Sequence, residues 1–134
     1  MKGEGVMDTS KLKYAPTHEW VSVNGNMATI GITDHAQKEI SDVVFVELPV
    51  AGRVLKQKES AMVIESVKAA FDIYAPVSGR VVKVNENLKN QPVLVNKSPY
   101  GEGWLFQLEC RDLKELDSLM TESEYQGTQA HTKH

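Results

Sequence analysis

Apolar residues in this chain come mostly in short alternating runs broken by turn residues, which predicts strands; only near the C-terminus do they recur at helical spacing. Residues 20–23 and 27–32 flank Asn24-Gly25-Asn26, and alternating runs around an Asn-Gly pair predict a β-hairpin. Thr33 or Asp34 then offers a side-chain oxygen to cap a short helix reaching about Ile40, with Ala36 and Ile40 on one face. Residues 43–48 alternate again, predicting a strand that stops at Pro49, which has no amide hydrogen for a ladder. After a turn-rich loop at 96–103, residues 104–110 read as a further strand, Trp104, Phe106 and Leu108 alternating with Leu105, Gln107 and Glu109. Asp112 is placed to cap a closing helix in which Leu113, Leu116, Leu119 and Met120 form an apolar packing stripe. Residues 1–11 read as a flexible N-terminal arm and 127–134 as a flexible polar tail, leaving 12–126 as one folded domain. Many short strands with few helices indicate a mainly β fold, a small barrel or sandwich.

The middle of the chain holds an ionisable tip, Glu65-Ser66-Val67-Lys68-Ala69-Ala70, between apolar runs at 60–64 and 71–74. Two conformations fit it. As a helix, Glu65, Lys68 and Asp72 would lie at i, i+3 and i+7 with two alanines beside them. As a hairpin, the runs would pair and hold the Lys68 amine outward, open to acylation. Val67 is β-branched and the tip has no glycine, so a type I or wider turn is expected instead of a primed one. An internal repeat favours strands. Leu48-Pro49-Val50-Ala51-Gly52-Arg53-Val54-Leu55-Lys56 matches Ala75-Pro76-Val77-Ser78-Gly79-Arg80-Val81-Val82-Lys83 at an offset of 27. Two copies are too few for a solenoid and suggest a closed, pseudo-symmetric domain. The stretch equivalent to 60–67 contains Asn87, Asn90 and Pro92, poor residues for a helix interior, so both segments are expected to be extended.

Composition narrows function by exclusion. The 134 residues carry a formal net charge of −3, with 41% hydrophobic and 25% charged positions, as in ordinary soluble proteins. With pI near 5.8, neither nucleic acid nor an anionic membrane is the expected partner. No apolar run approaches the ~20 residues that span a bilayer, and no presequence is visible. A single cysteine, Cys110, fits a reducing compartment such as the cytoplasm, or an organelle matrix for a processed protein. His18, His35 and Cys110 are scattered without ligand spacing, so no metal site is expected. Gly101-Glu102-Gly103 lacks the third glycine of a phosphate loop. Asp34-His35 reads more simply as a cap beside a surface histidine than as an acid–base pair. Nothing here suggests catalysis, and the chain is not expected to be an enzyme.

Six blocks, in order, resemble the glycine cleavage system H-protein family: Thr17-His18-Glu19-Trp20, Gly31-Ile32-Thr33-Asp34-His35-Ala36-Gln37, Val44-Phe45-Val46-Glu47-Leu48-Pro49, Glu65-Ser66-Val67-Lys68-Ala69-Ala70, Tyr74-Ala75-Pro76-Val77-Ser78-Gly79 and Asn96-Lys97-Ser98-Pro99-Tyr100-Gly101-Glu102-Gly103-Trp104. The likeness runs from about Leu12 to Tyr125. It implies a lipoyl-domain fold, a barrel-sandwich hybrid of two related halves with short flanking helices, one of them C-terminal. It further implies a monomeric carrier with (R)-lipoic acid in amide linkage on Lys68, attached by a lipoate ligase or lipoyl/octanoyl transferase. Such a carrier would take the aminomethyl group of glycine from the pyridoxal-phosphate decarboxylase (P protein) to the tetrahydrofolate-dependent aminomethyltransferase (T protein). Dihydrolipoamide dehydrogenase (L protein) would reoxidise it.

By the same resemblance Glu19 and Asp72 match positions that would shelter the cationic end of the arm in a cleft, and Glu65 would help the modifying enzyme recognise the hairpin. Ser66 and Ala69 would keep the tip narrow. Trp20 and Trp104 are expected to be packing residues. Phe71, the basic Arg53, Arg80 and Lys83, and the glycine-free segment 56–60 depart from the commoner pattern. Three rivals remain. One is a relay passing lipoate to other complexes; another is a biotin carrier, which would show Met-Lys-Met at the tip; the third is an unmodified interaction module.

Overall fold

The computed structural model describes residues 8–132; the expected arm lies largely outside them, in residues 1–7. The strands are β1 (Lys13–Tyr14), β2 (Glu19–Asn24), β3 (Met27–Ile32), β4 (Val43–Glu47), β5 (Val54–Leu55), β6 (Ser60–Ser66), β7 (Ala70–Tyr74), β8 (Gly79–Val84) and β9 (Phe106–Cys110). They form two antiparallel sheets, one in the order β1-β2-β3-β9-β8-β5 and one in the order β4-β6-β7. The helices are α1 (Asp34–Ile40), α2 (Asn87–Asn90), α3 (Leu94–Lys97) and α4 (Glu122–Thr132). Facing sheets bury one face of each strand, and Ile30, Ile64, Val81, Leu105, Phe106 and Leu108 are fully buried between them.

Local chemistry sets these elements much as the sequence predicts. The β2–β3 pairing runs to Asn24↔Met27, so Gly25 takes the first turn position, at a φ of 65°. Thr33 caps α1 by accepting from the Ala36 amide at 3.1 Å. Asp112 accepts from the Lys114 amide, but the turn it starts, Leu113–Ser118, is 3-10, and Leu113 is exposed while Leu119 reaches the core.

The two sequence copies meet. Val54 pairs with Arg80 and Leu55 with Gly79, and the Gly52 amide donates to the Val81 carbonyl while the Val81 amide donates to Arg53. Since Arg53 corresponds to Arg80 and Val54 to Val81, the copies lie antiparallel about their own two-fold axis. β4 and β7 are likewise equivalent, both five residues long and 27 apart.

Four expectations need correction. The alternation at 43–48 is interrupted by a bulge between Val43 and Phe45, which leaves Val44 and Phe45 half exposed. Residues 87–90 are helical, not extended: a single four-residue turn has no interior for Asn87 or Asn90 to disrupt, and Pro92 falls beyond its end. Likewise α3 occupies part of the expected 96–103 loop, and α4 continues through Gly127 to Thr132.

A second, smaller core sits between β1, β2 and α4, where Tyr14 stacks on Tyr125 at 4.8 Å and Leu12 and Trp20 are buried. Trp20 lies directly across the β2–β3 ladder from Gly31, and its indole nitrogen donates to the Pro99 carbonyl at 3.0 Å. A methyl group on Gly31 would overlap this pinned ring. Gly31→Ala should therefore lower unfolding stability by roughly 1–3 kcal/mol, the range for overpacking a filled core. A urea midpoint equal to that of the wild type would show that the indole can move aside.

Candidate functional site

Beyond the last β6–β7 pair, Glu65↔Ala70, the chain makes a tip in which the Ser66 amide donates to the Ala69 carbonyl at 2.9 Å. The Ser66 hydroxyl oxygen accepts from the Lys68 amide at 3.0 Å and from the Ala69 amide at 3.2 Å, so one side chain satisfies two backbone donors. The Val67 amide donates to the Asp42 carbonyl at 2.9 Å, tying the tip to the α1–β4 corner. None of the tip residues has a positive φ, in keeping with β-branched Val67. Lys68 is exposed at the summit, and its Nζ donates to the Glu39 carbonyl at 3.2 Å. It makes no ion pair among the described residues.

The corner below is held by Asn96 of α3. Its Oδ1 accepts from the Val43 amide at 2.8 Å, while its Nδ2 donates to the Ser41 carbonyl at 2.8 Å and to Gln37 Oε1 at 3.1 Å. Ser41 turns the corner at a φ of 69°. Sequence reading takes Asn96 for a generic turn residue; nothing local distinguishes it, because its partners are more than 50 positions away.

Glu65 and Asp72 are both exposed and share the outer face of the smaller sheet, Glu65 opposite Phe45 and Asp72 opposite Val63. Asp72 Oδ1 accepts from the Ser60 hydroxyl at 2.9 Å. Phe71 points the other way, onto the main core. Glu19 is different. It is 1% exposed, accepting from the Thr17 hydroxyl and, at 3.1 Å, from the Tyr74 amide. Burial pushes its carboxyl up to about 7, against the downward pull of those two bonds. Thr17 and Tyr74 also line a cleft of about 290 Å³, together with Lys58, Ser118 and Leu119. Tyr74 is four strand residues from Ala70 along β7, roughly 14 Å at the usual rise.

His18 and His35, far apart in sequence, are neighbours here, with ring centroids 4.7 Å apart. Cys110 is buried, and burial raises its thiol, which makes it a poor nucleophile.

Two β-sheets that present a lysine at the summit of the β6–β7 hairpin, with a cleft at the Tyr74 end of β7 and the buried Glu19 of β2 bonded to the Tyr74 amide, suit a carrier domain. The comparisons with known proteins agree. A family model for the glycine cleavage H-protein matches residues 12–132, and the chain belongs to that family. The glycine cleavage system H protein of Thermotoga maritima is 55% identical over 114 residues, spanning 85% of this chain and 92% of that protein. The H protein of Methylacidiphilum infernorum is 53% identical over 113 residues, 84% of this chain and 88% of the other. A crystal structure of the H protein from Mycobacterium marinum superposes with a TM-score of 0.83 at 34% identity, covering 90% of this chain and 98% of that one. The family supplies a carrier subunit of the glycine cleavage system and is not catalytic.

Two expected outcomes follow from this geometry. Asn96→Ala strands the Val43 amide and the Ser41 carbonyl, so it should destabilise the fold by about 1–3 kcal/mol. It should also speed amide exchange at Val67 more than in the β2–β3 hairpin, as read by hydrogen-exchange mass spectrometry. The second outcome concerns Glu19. A carboxyl at about 7 when folded, against 4.5 ordinarily, binds more protons folded than unfolded between those values. Its contribution is therefore present below about pH 4.5 and lost as pH rises through 7, roughly 3 kcal/mol at most. His18, lowered by burial and by its neighbour His35, contributes with the opposite sign. Comparison with Glu19→Gln isolates the acid: urea unfolding at pH 5 and pH 8 should show the variant gaining relative to the wild type as pH rises.

Proposed function

We propose that this chain is the lipoyl-carrying shuttle of glycine cleavage, with (R)-lipoic acid in amide linkage on Lys68. One observation carries the reading: the Lys68 amine is exposed on a braced tip and holds only a backbone carbonyl. Acylation removes the positive charge, and here that would break no described ion pair. Ser66, Ala69 and Ala70 give the tip a slim profile for the pocket of a lipoate ligase or lipoyl/octanoyl transferase. Glu65, exposed three positions before the lysine, is a recognition handle for that enzyme.

A lipoyl group held on Lys68 would supply the dithiolane chemistry for carrying an aminomethyl group from the P protein to the T protein, with the L protein as its oxidant. The protein's own part is placement. A stiff tip restricts the search to the length of the side chain, which raises the effective concentration at each partner's active site. Glu19, on β2 beside the Tyr74 end of β7, and the exposed Asp72 of β7 provide carboxyl groups for a cationic cargo. Glu19 acts from beneath the cleft through its contacts with Thr17 and Tyr74. With bacterial relatives and no described helix long and apolar enough to cross a membrane, the cytoplasm is the proposed compartment, and a monomer the proposed working form.

Intact-mass analysis tests the assignment. Recombinant protein given lipoate and ligase should gain one lipoyl mass, mapped to the peptide containing Lys68. Lys68→Arg should gain none, and Glu65→Ala should gain it more slowly. Reconstitution with P, T and L proteins should then support exchange of carbon dioxide into glycine, with Glu19→Gln and Asp72→Asn shortening the lifetime of the loaded carrier. Lipoylation without exchange would favour the lipoate relay, and a modified Lys68→Arg protein would refute the site.

A further inference from the structure

Outside the lysine tip and the cleft, one group of side chains has no part in the proposed cycle. His18 comes from the turn before β2, and His35 and Glu39 lie one turn apart on α1. A ring nitrogen from each histidine and a Glu39 carboxylate oxygen all lie within 4.8 Å of one another. His35 Nε2 is already 3.3 Å from Glu39 Oε2. The geometry points to a binding site for a divalent cation of the zinc class, with His18, His35 and Glu39 as ligands.

Donor chemistry and support both favour this. Two imidazoles and a carboxylate form the nitrogen–oxygen set that binds zinc with a coordination position left open. Imidazole ligands need their second nitrogen fixed by a partner that sets the tautomer. His18 has one: its Nδ1 is 2.7 Å from the Tyr125 hydroxyl, which is 2.8 Å from Thr33 Oγ1. With Nδ1–H donating to Tyr125, Nε2 keeps the lone pair that a metal requires. His35 and Tyr125 also line a cavity of about 350 Å³.

A cation bound here would clamp the turn before β2 onto α1. Its Glu39 ligand belongs to the residue whose carbonyl Lys68 touches, so the same clamp would steady the platform beneath the tip.

Calorimetric titration of the full chain with Zn²⁺ tests this, alongside thermal unfolding at rising Zn²⁺. Co²⁺ serves as a spectroscopic probe of the ligand set. One ion should bind per chain, with the unfolding temperature rising with its concentration. His18→Asn suits the left-handed backbone at that position, at a φ of 78°, and His35→Gln suits the helix, so both should fold by circular dichroism yet bind at least tenfold more weakly. Tyr125→Phe keeps the stacked ring but loses the hydroxyl, and should weaken binding by about 10–100-fold. His131 and His134 are competing donors near the C-terminus, and a His131→Gln/His134→Gln chain should bind as the wild type does. Absence of stoichiometric binding, binding unchanged in His18→Asn and His35→Gln, or binding lost with the two C-terminal histidines would each overturn the site.

Discussion

The display of Lys68 depends on satisfying backbone amides where a β-ladder ends. A hairpin tip normally leaves its donors to water, and a two-stranded hairpin alone is barely stable. Here the Ser66 hydroxyl takes two of the amides and the Asp42 carbonyl takes a third, so order persists to the last residue of the turn. β4 adds a third strand along β6, and the α1–β4 corner props the end. Motion is thereby left to the lysine side chain. A glycine-rich tip would have reached as far, but it would have spread the amine over a larger volume.

The broken symmetry of the repeat accounts for the prop. At an offset of 27, Lys68 corresponds to Val95 and Ala69 to Asn96. In the first copy these positions form an exposed tip. In the second they form α3, with Val95 fully buried and Asn96 gripping the corner under the first copy's tip. Where the copies remain alike, around Arg53 and Arg80, they pair with each other and close the larger sheet. Where they have diverged, one displays and the other supports. This division explains why residues 87–97 abandon the extended conformation of their counterparts without disturbing the fold.

Features whose cause lies within a few residues were legible in the sequence. The Asn24-Gly25 turn and the Thr33 cap each follow from local chemistry, the Lys68 tip was favoured by the internal repeat, and the six blocks quoted for the family resemblance brought the fold class with them. The strand at 60–66 was reached partly through an incorrect premise, since its counterpart is helical and Pro92 merely ends a single turn. The bulge at Val44 and Phe45 escaped because a period-2 pattern does not reveal an inserted residue. α4 persists beyond Gly127 although its sequence there is polar; upstream, Tyr125 anchors the helix by stacking on Tyr14, a partner 111 positions away. Asn96 and the meeting of His18 with His35 escaped for the same reason: the contacts that define them are long-range.

Glu19 shows how such a fold can hold charge in reserve. The Thr17 hydroxyl, the Tyr74 amide and its own backbone amide donate to its oxygens, which suits a carboxylate better than an acid. Burial works the other way and favours the neutral form. Burial outweighs the hydrogen bonds and raises the carboxyl to about 7, so a cation brought close would favour its ionised form. A cation entering the cleft lined by Thr17 and Tyr74 would tip it to carboxylate, and the attraction would appear only on arrival. A permanently ionised surface acid would instead be screened by salt and would hold any passing lysine as well. On the proposed reading, a buried acid with prearranged donors beneath the cleft would discriminate by position as well as by charge.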